Sequence, residues 1–328
     1  MTAVTPEPIM KIAMGFMAAK LLFAANEVGL FEALAEGPAT VEELASRTGA
    51  PSRTIALVAA AMVSLGLIEQ DGNHYRNGDP AAAFLAGKPG PDLRPMLRFW
   101  DQISYPTWQK LADAVRTGNG QAQFDKFDKR QQEIFSSGVE SFSGPGAAAL
   151  AANYDFRRHR RVLDVAGGTG SFLVAVLKRH AQLRGTLFEL PGPCAVARQK
   201  LASLPEGSRI EIVEGDVFKD ALPADHDALI VANTAHVFSA RHNIELMQKM
   251  REGVTPGARL LLVDLWTDPS HTQPGPAALI SGEFLVISGE GQAYSEQEAD
   301  TWLRQTGWNK LEKTPLAGPA SLIVAEAV

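Results

Sequence analysis

The stretch Arg161-Val162-Leu163-Asp164-Val165-Ala166-Gly167-Gly168-Thr169-Gly170-Ser171-Phe172 constrains the fold more than any other part of the chain. Val162, Leu163 and Val165 read as a short buried strand, the glycines as a tight turn, and Ser171 to His180 as a helix. Glycines at such a turn let backbone approach a ligand closely, and the helix start offers unpaired N–H groups. This is a cradle for a nucleotide-like molecule. From Arg160 onward strands and helices alternate. Strands are expected at 161–165, 185–189, 209–213, 227–232, 258–264 and 321–326, with a further one near 308–314. Helices are expected at 171–180, 193–203, 241–253 and 295–306. Alternation of this kind predicts an α/β architecture with a doubly wound sheet.

The N-terminal part carries a different pattern. Residues 9–36 read as two helices, the first with Ile9, Ile12, Phe16, Ala19, Leu22 and Phe23 near helical spacing. That helix is apolar on more than one side, which suits burial in its own domain or against a second subunit. Thr40-Val41-Glu42-Glu43 matches a capping box that opens the next helix. Gly49-Ala50-Pro51-Ser52 then turns, with Ser52 as the expected cap of a helix over Ile55 to Leu65 that Gly66 ends. A hairpin around Asp71-Gly72 follows. Helix, turn, helix and hairpin make a winged helix, the shape of many DNA-binding repressors. Its second helix, Thr54 to Ser64, has one flanking basic residue, Arg53, and no Asn, Gln or Lys. Such a helix can neither neutralise phosphates nor read base edges. It reads as a packing and dimerisation module, with no nucleic-acid partner.

Three domains follow: 1–90, a winged-helix dimerisation domain; 91–158, a helical linker and substrate-pocket segment; 159–328, the α/β domain. The middle segment is rich in aromatics, including Trp100, Trp108, Phe124, Phe127, Phe135 and Phe142. Most suit core packing, and a few suit the wall of a pocket for a flat apolar molecule. At 328 residues the chain can bury a sizeable core. Its formal charge of −6 gives no general attraction to nucleic acid or an anionic membrane. A single cysteine, Cys194, excludes an intramolecular disulfide and fits a reducing cytoplasm. The N-terminus lacks the pattern of a signal peptide, and no uninterrupted apolar run reaches bilayer length, so no membrane partner is expected.

Chemistry-bearing residues fall at the expected strand ends. Asp164-x-Ala166-x-Gly168-x-Gly170 departs from the dinucleotide fingerprint, because a carboxylate precedes the turn. A ligand whose amino-acid tail carries an ammonium group tolerates that carboxylate. Glu189 ends the next strand, where an acid can accept from both ribose hydroxyls. Asp216, in Gly215-Asp216-Val217-Phe218, can accept from an exocyclic adenine amine, and Phe218 can cover the base. His236 ends the fourth strand, in Ile230-Val231-Ala232-Asn233-Thr234-Ala235-His236, and Asp264 ends the following one. A carboxylate beside an imidazole fixes its tautomer and lets it act as a general base. His236, His242, His271 and Asp264 match no compact metal motif, and no metal is expected.

Taken with Leu30-Phe31-Glu32-Ala33-Leu34, Leu65-Gly66-Leu67-Ile68, Phe188-Glu189-Leu190-Pro191 and Pro256-Gly257, these motifs resemble the class I S-adenosylmethionine-dependent O-methyltransferases of small molecules. The resemblance is to the plant and bacterial natural-product type, with an N-terminal winged-helix dimerisation domain and a Rossmann-like methyltransferase sheet. It implies a cofactor site built from Asp164, Gly167, Gly168, Gly170, Glu189, Asp216, Val217, Phe218 and Asn233. It implies His236 as base, oriented by Asp264, and methylation of a hydroxyl on an aromatic or polyketide-like molecule. The substrate pocket is expected to draw on Trp100, Trp108, Phe135, Phe142, Phe284 and Ser288, in a homodimer whose subunits exchange N-terminal helices. The chain departs from the family pattern in several places. Ala166 stands where the family has Gly, and Glu189 where it has Asp. Val237 and Ala240 replace acids that usually follow the histidine, and Ala293 replaces a second flanking acid, for which Glu283 or Glu290 can substitute. The alternative reading keeps fold and cofactor but performs C- or N-methylation, hydroxylation, decarboxylation or a pericyclic reaction.

Overall fold

The computed structural model describes residues 4–122 and 127–328. Phe124, one of the expected pocket or core aromatics, lies outside the described residues. The chain divides into two compact units. One runs to Tyr105 and takes up Asp128–Ser141; the other holds Pro106–Phe127 and Phe142–Val328. Residues of the segment 91–158 fall in both units.

In the first unit the helix Glu7–Glu27 is followed by Leu30–Ala33, Val41–Thr48 and Ser52–Ser64, then by β1 (Ile68–Asp71) and β2 (His74–Asn77). The hairpin pairs Ile68 with Asn77 through to Asp71 with His74. The winged-helix reading is thus realised. The capping box is complete: Thr40 Oγ1 accepts from Glu43 N, and Glu43 Oε2 accepts from Thr40 N at 2.7 Å. The second cap differs from expectation, because Pro51 occupies the N-cap and Ser52 is already helical. The pyrrolidine ring sets the extended entry without a side-chain bond. Phe31, Leu44, Ile55, Met62 and Ile68 form the core of this unit. Each such side chain contributes about 1.5–3 kcal/mol by leaving water.

The helix Glu7–Glu27 has 21 residues and by length and composition is apolar enough to cross a membrane. The interruptions by Lys11 and Lys20 hid this from a search for an unbroken run. Ile9, Met10, Ile12, Met14, Phe16 and Met17 are all exposed on the single chain.

The second unit is built on one seven-stranded sheet with order β5-β4-β3-β6-β7-β9-β8. These strands are β3 (Arg161–Val165), β4 (Arg184–Glu189), β5 (Ile210–Glu214), β6 (Ala228–Ala232), β7 (Arg259–Leu265), β8 (Trp308–Pro315) and β9 (Ala320–Ala327). The first five run parallel, and β9 is antiparallel to both neighbours. Successive side chains along the central strands pack on opposite faces, and both are buried. Leu163, Val165, Leu229, Val231, Leu260 and Leu262 pack on one face with Leu246, Met250, Trp302 and Trp308. Val162, Leu187, Ile230, Leu261 and Val263 pack on the other with Phe172, Leu173, Val176 and Leu150. Both faces are covered, as a parallel sheet requires. The strand order reverses between β3 and β6, and the crevice at their C-terminal ends is the place for a ligand.

Candidate active site

Each residue expected around the crevice lies in the second unit, except Trp100 and Phe135, which belong to the first. Asp164 sits in β3, opposite Leu187 of β4 and Ile230 of β6. Its carboxyl is fully buried, and neither oxygen makes a hydrogen bond of normal geometry among the described residues, the backbone N–H of Leu173 giving only a weak lowering influence. Burial, then the nearby Glu189 carboxylate, pushes Asp164 up to about 7. The turn closes tightly over it: a Cβ on Gly167 would lie 2.4 Å from Asp164 Cγ. Only glycine fits there. Gly168 and Gly170 adopt φ of 59° and 81°, and Ala166 adopts 54° although it carries a Cβ. The family's glycine would relieve that strain, which costs roughly 1–2 kcal/mol. Lys200 braces the far side of the turn, donating to Thr169 Oγ1 and Ser171 Oγ, each at 3.2 Å.

Glu189, the last residue of β4, is nearly buried and receives Gly168 N at 2.8 Å on one oxygen and Leu190 N at 2.7 Å on the other. Burial raises its pKa, and the two N–H groups pull the other way. Each oxygen keeps a lone pair for a further donor. An uncompensated buried carboxylate behind the turn and a fixed acid at the next strand fit a ligand with an ammonium tail and a ribose. Asp216 receives Lys219 Nζ at 2.6 Å on one oxygen and Phe218 N at 2.9 Å on the other, which lower its pKa; as in Glu189, each oxygen keeps a lone pair for a further donor. Val217 is buried, and the Phe218 ring lies edge-on to Phe238, with centroids 4.9 Å apart. Asn233 follows β6 with φ of 53°, and its amide donates to Ser143 Oγ at 3.1 Å.

His236 lies on the short turn Ala235–Val237 after β6, and Asp264 near the end of the adjacent β7. His236 Nδ1 is 2.6 Å from Asp264 Oδ1, and both side chains are buried. Asp264 also accepts from the backbone N–H of His236 at 3.3 Å and of Leu265 at 2.7 Å. With the Nδ1 proton directed at the carboxylate, Nε2 presents its lone pair. The turn itself is clamped. The Asn243 amide donates to Ala235 O at 2.8 Å and Phe238 O at 3.3 Å, and Tyr294 OH donates to Phe238 O at 2.7 Å. A Cβ on Gly291 would meet His236 O at 2.1 Å. Neither Asn243 nor Tyr294 carries a local sequence signal for this role, because the contacts join separate elements.

The expected pocket aromatics fall in both units. Trp108 Nε1 donates to Glu283, Phe142 is half-buried, and Phe284 stacks on the His236 ring. The Ser288 hydroxyl donates to Phe284 O and accepts from Gly291 N at 3.1 Å, closing the end of the helix Gly275–Ser288. Phe135 meets Phe99 edge-on at 5.8 Å, and Trp100 is partly exposed. Of the two expected substitutes for the second acid, Glu283 pairs with Trp108, and Glu290 with His242 at 3.0 Å. Among the described residues no cluster of three or more His, Cys, Asp and Glu is placed to hold a metal.

Comparison with known proteins decides the family. Residues 108–309 match the model of the O-methyltransferase domain, and residues 10–87 that of the O-methyltransferase dimerisation domain. This chain belongs to the S-adenosylmethionine-dependent O-methyltransferase family. Among relatives, it is 32% identical over 324 residues to 3-hydroxy-5-methyl-1-naphthoate 3-O-methyltransferase of Streptomyces sahachiroi, covering 96% of this chain and 93% of that one. It is 28% identical to the tetracenomycin polyketide synthesis 8-O-methyl transferase of Streptomyces glaucescens, covering 97% and 96%. The solved structure of PigF with SAH, from a Serratia species, superposes with a TM-score of 0.85 at 28% identity and covers 98% and 100%. The O-methyltransferase fold and its cofactor class are thus those the motifs around Asp164 implied.

Proposed function

We propose that this chain transfers the methyl group of S-adenosylmethionine to a hydroxyl of an aromatic or polyketide-like small molecule, with His236 as general base. The 2.6 Å contact between His236 Nδ1 and Asp264 carries this reading. When bound, S-adenosylmethionine supplies a methyl carbon on a positively charged sulfur, so the departing group needs no acid. His236 Nε2 takes the proton of the acceptor hydroxyl as its oxygen attacks that carbon. Asp264 keeps the imidazole in the required tautomer and offsets the charge it gains. The proton then passes to solvent. Asp164 supplies negative charge behind the glycine turn for the cofactor's ammonium, and Gly167, Gly168 and Gly170 let the backbone close on it. Glu189 receives the ribose hydroxyls, Val217 and Phe218 face the adenine beside Asp216, and Asn233 lines the crevice. Trp108, Phe142 and Phe284 supply aromatic surface for a planar acceptor. The acceptors named for the Streptomyces relatives, a hydroxynaphthoate and a tetracenomycin polyketide, are of this kind. A second copy of the chain covers the apolar face of Glu7–Glu27, in a homodimer formed through the dimerisation domain.

The test is methyl transfer from labelled S-adenosylmethionine to a panel of phenols that includes 3-hydroxy-5-methyl-1-naphthoate. Wild type is expected to label a hydroxyl, and His236→Ala to lose about 100-fold or more in rate while still binding the cofactor. A wild type that labels no hydroxyl, or an unimpaired His236→Ala, overturns the reading.

A further inference from the structure

We infer that Phe284 is a positioning residue for the base: its ring holds the His236 imidazole in plane and favours the charged form that arises during proton transfer. The proposal rests on the reading of His236 as the base. The two rings lie 3.9 Å apart between centroids and only 14° from parallel. Both residues are buried, His236 at 8% exposure and Phe284 at 9%. Neutral aromatic rings avoid a close parallel sandwich, because their negative faces repel. A cation over the same face is attracted to it, and more strongly where water is excluded. The stack is thus better suited to imidazolium than to imidazole. An interaction stronger in the charged state lowers the barrier and does not merely tighten binding.

The sequence around the histidine shows why such a device has a place here. Val237 and Ala240 stand where the family resemblance places acids, and position 293 carries a fully buried alanine. The Ala293 backbone is held by Ser281 Oγ at 3.0 Å. Asp264 serves one edge of the imidazole, and Phe284 one face. The helix Gly275–Ser288 fixes Phe284 in turn: its C-cap glycine, Gly289, has φ of 81°, and Ser288 closes its last turn. Edge and face together define the ring's orientation, which a single carboxylate contact leaves free to tilt about the hydrogen bond.

Phe284→Leu removes the ring and keeps the bulk, and Phe284→Tyr keeps the ring. With the naphthoate acceptor, Phe284→Leu is expected to lower kcat by about tenfold, whatever its effect on acceptor KM, with cofactor affinity within about a factor of two of wild type. Phe284→Tyr is expected to restore most of that loss. In spectra of the cofactor-free protein, the ring protons of His236 should show the upfield displacement of a stacked aromatic, lost in Phe284→Leu and kept in Phe284→Tyr. Equal loss in both variants, a change confined to KM, or His236 ring signals that ignore Phe284→Leu would overturn the proposal. Should wild type turn over no acceptor, the base reading fails, while the ring-proton signals still decide whether the stack exists.

Discussion

Asp164 shows how far a side chain can be driven from its solution behaviour by position alone. Fully buried beside Glu189, it titrates at about 7 against an ordinary value of 3.8. A raised carboxyl pKa means that folding favours the protonated form. The stability it allows is complete below about pH 4 and is lost as pH rises through 7, a span worth about 4 kcal/mol. Glu189, also raised by burial, acts in the same direction. Asp164→Asn should therefore flatten the fall in stability of the cofactor-free protein between pH 5 and pH 8. Urea unfolding at both pH values, on wild type and variant, measures it; parallel curves would refute the assignment. The same substitution should weaken S-adenosylmethionine binding, because neutral Asn offers no charge to an ammonium group. The sequence showed the acid ahead of the glycines but not its isolation, which depends on Gly167 closing over it.

Among the elements, periodic ones were legible and uniform ones were not. The sheet strands were readable because β-branched and leucine-rich runs of five to eight residues lie between turn signals. The helix Gly275–Ser288 escaped because it is apolar on all sides, with Leu279 76% exposed, and its sequence has no helical stripe. It nevertheless carries Phe284 and Glu283 into the site. The helix Glu296–Gln305 has the opposite character, with a capping box from Ser295 and Glu298 and a clear buried stripe of Ala299, Trp302 and Leu303. Ser295 Oγ accepts from Glu298 N at 3.3 Å and donates to its carboxylate at 2.7 Å. Ser295→Ala should cost about 1 kcal/mol, read as a lower midpoint of thermal unfolding. No change would mean that the Thr267–Ser295 bridge and packing alone hold the helix start.

At the scale of the whole molecule, the exposed face of Glu7–Glu27 dominates. Ile12 is 81% exposed and Phe16 51%, on a helix within the dimerisation-domain match. Apolar patches of this kind mark interfaces. In solution the chain, of 35.2 kDa, is expected to sediment at twice its own mass. The double variant Ile12→Glu, Phe16→Glu should shift it toward the monomer, because each buried carboxylate would lack a partner. A variant that stays dimeric, or a wild type that sediments as a monomer, would count against the N-terminal interface. Recruitment of wild type to lipid vesicles would instead assign that face to a membrane.

The sequence by itself determined the alternation of strands and helices, the glycine turn, the acids at successive strand ends and the His236–Asp264 pairing. Hydrophobic period, turn chemistry and strand-end position are written within a few residues of each other, and the pairing of His236 with Asp264 follows from two adjacent strand ends. Only the tertiary structure decided which lone pairs are left over. It joined Glu290 to His242 and laid Phe284 on the imidazole. Those outcomes depend on distances between elements 40 or more positions apart, which packing sets and no local pattern encodes.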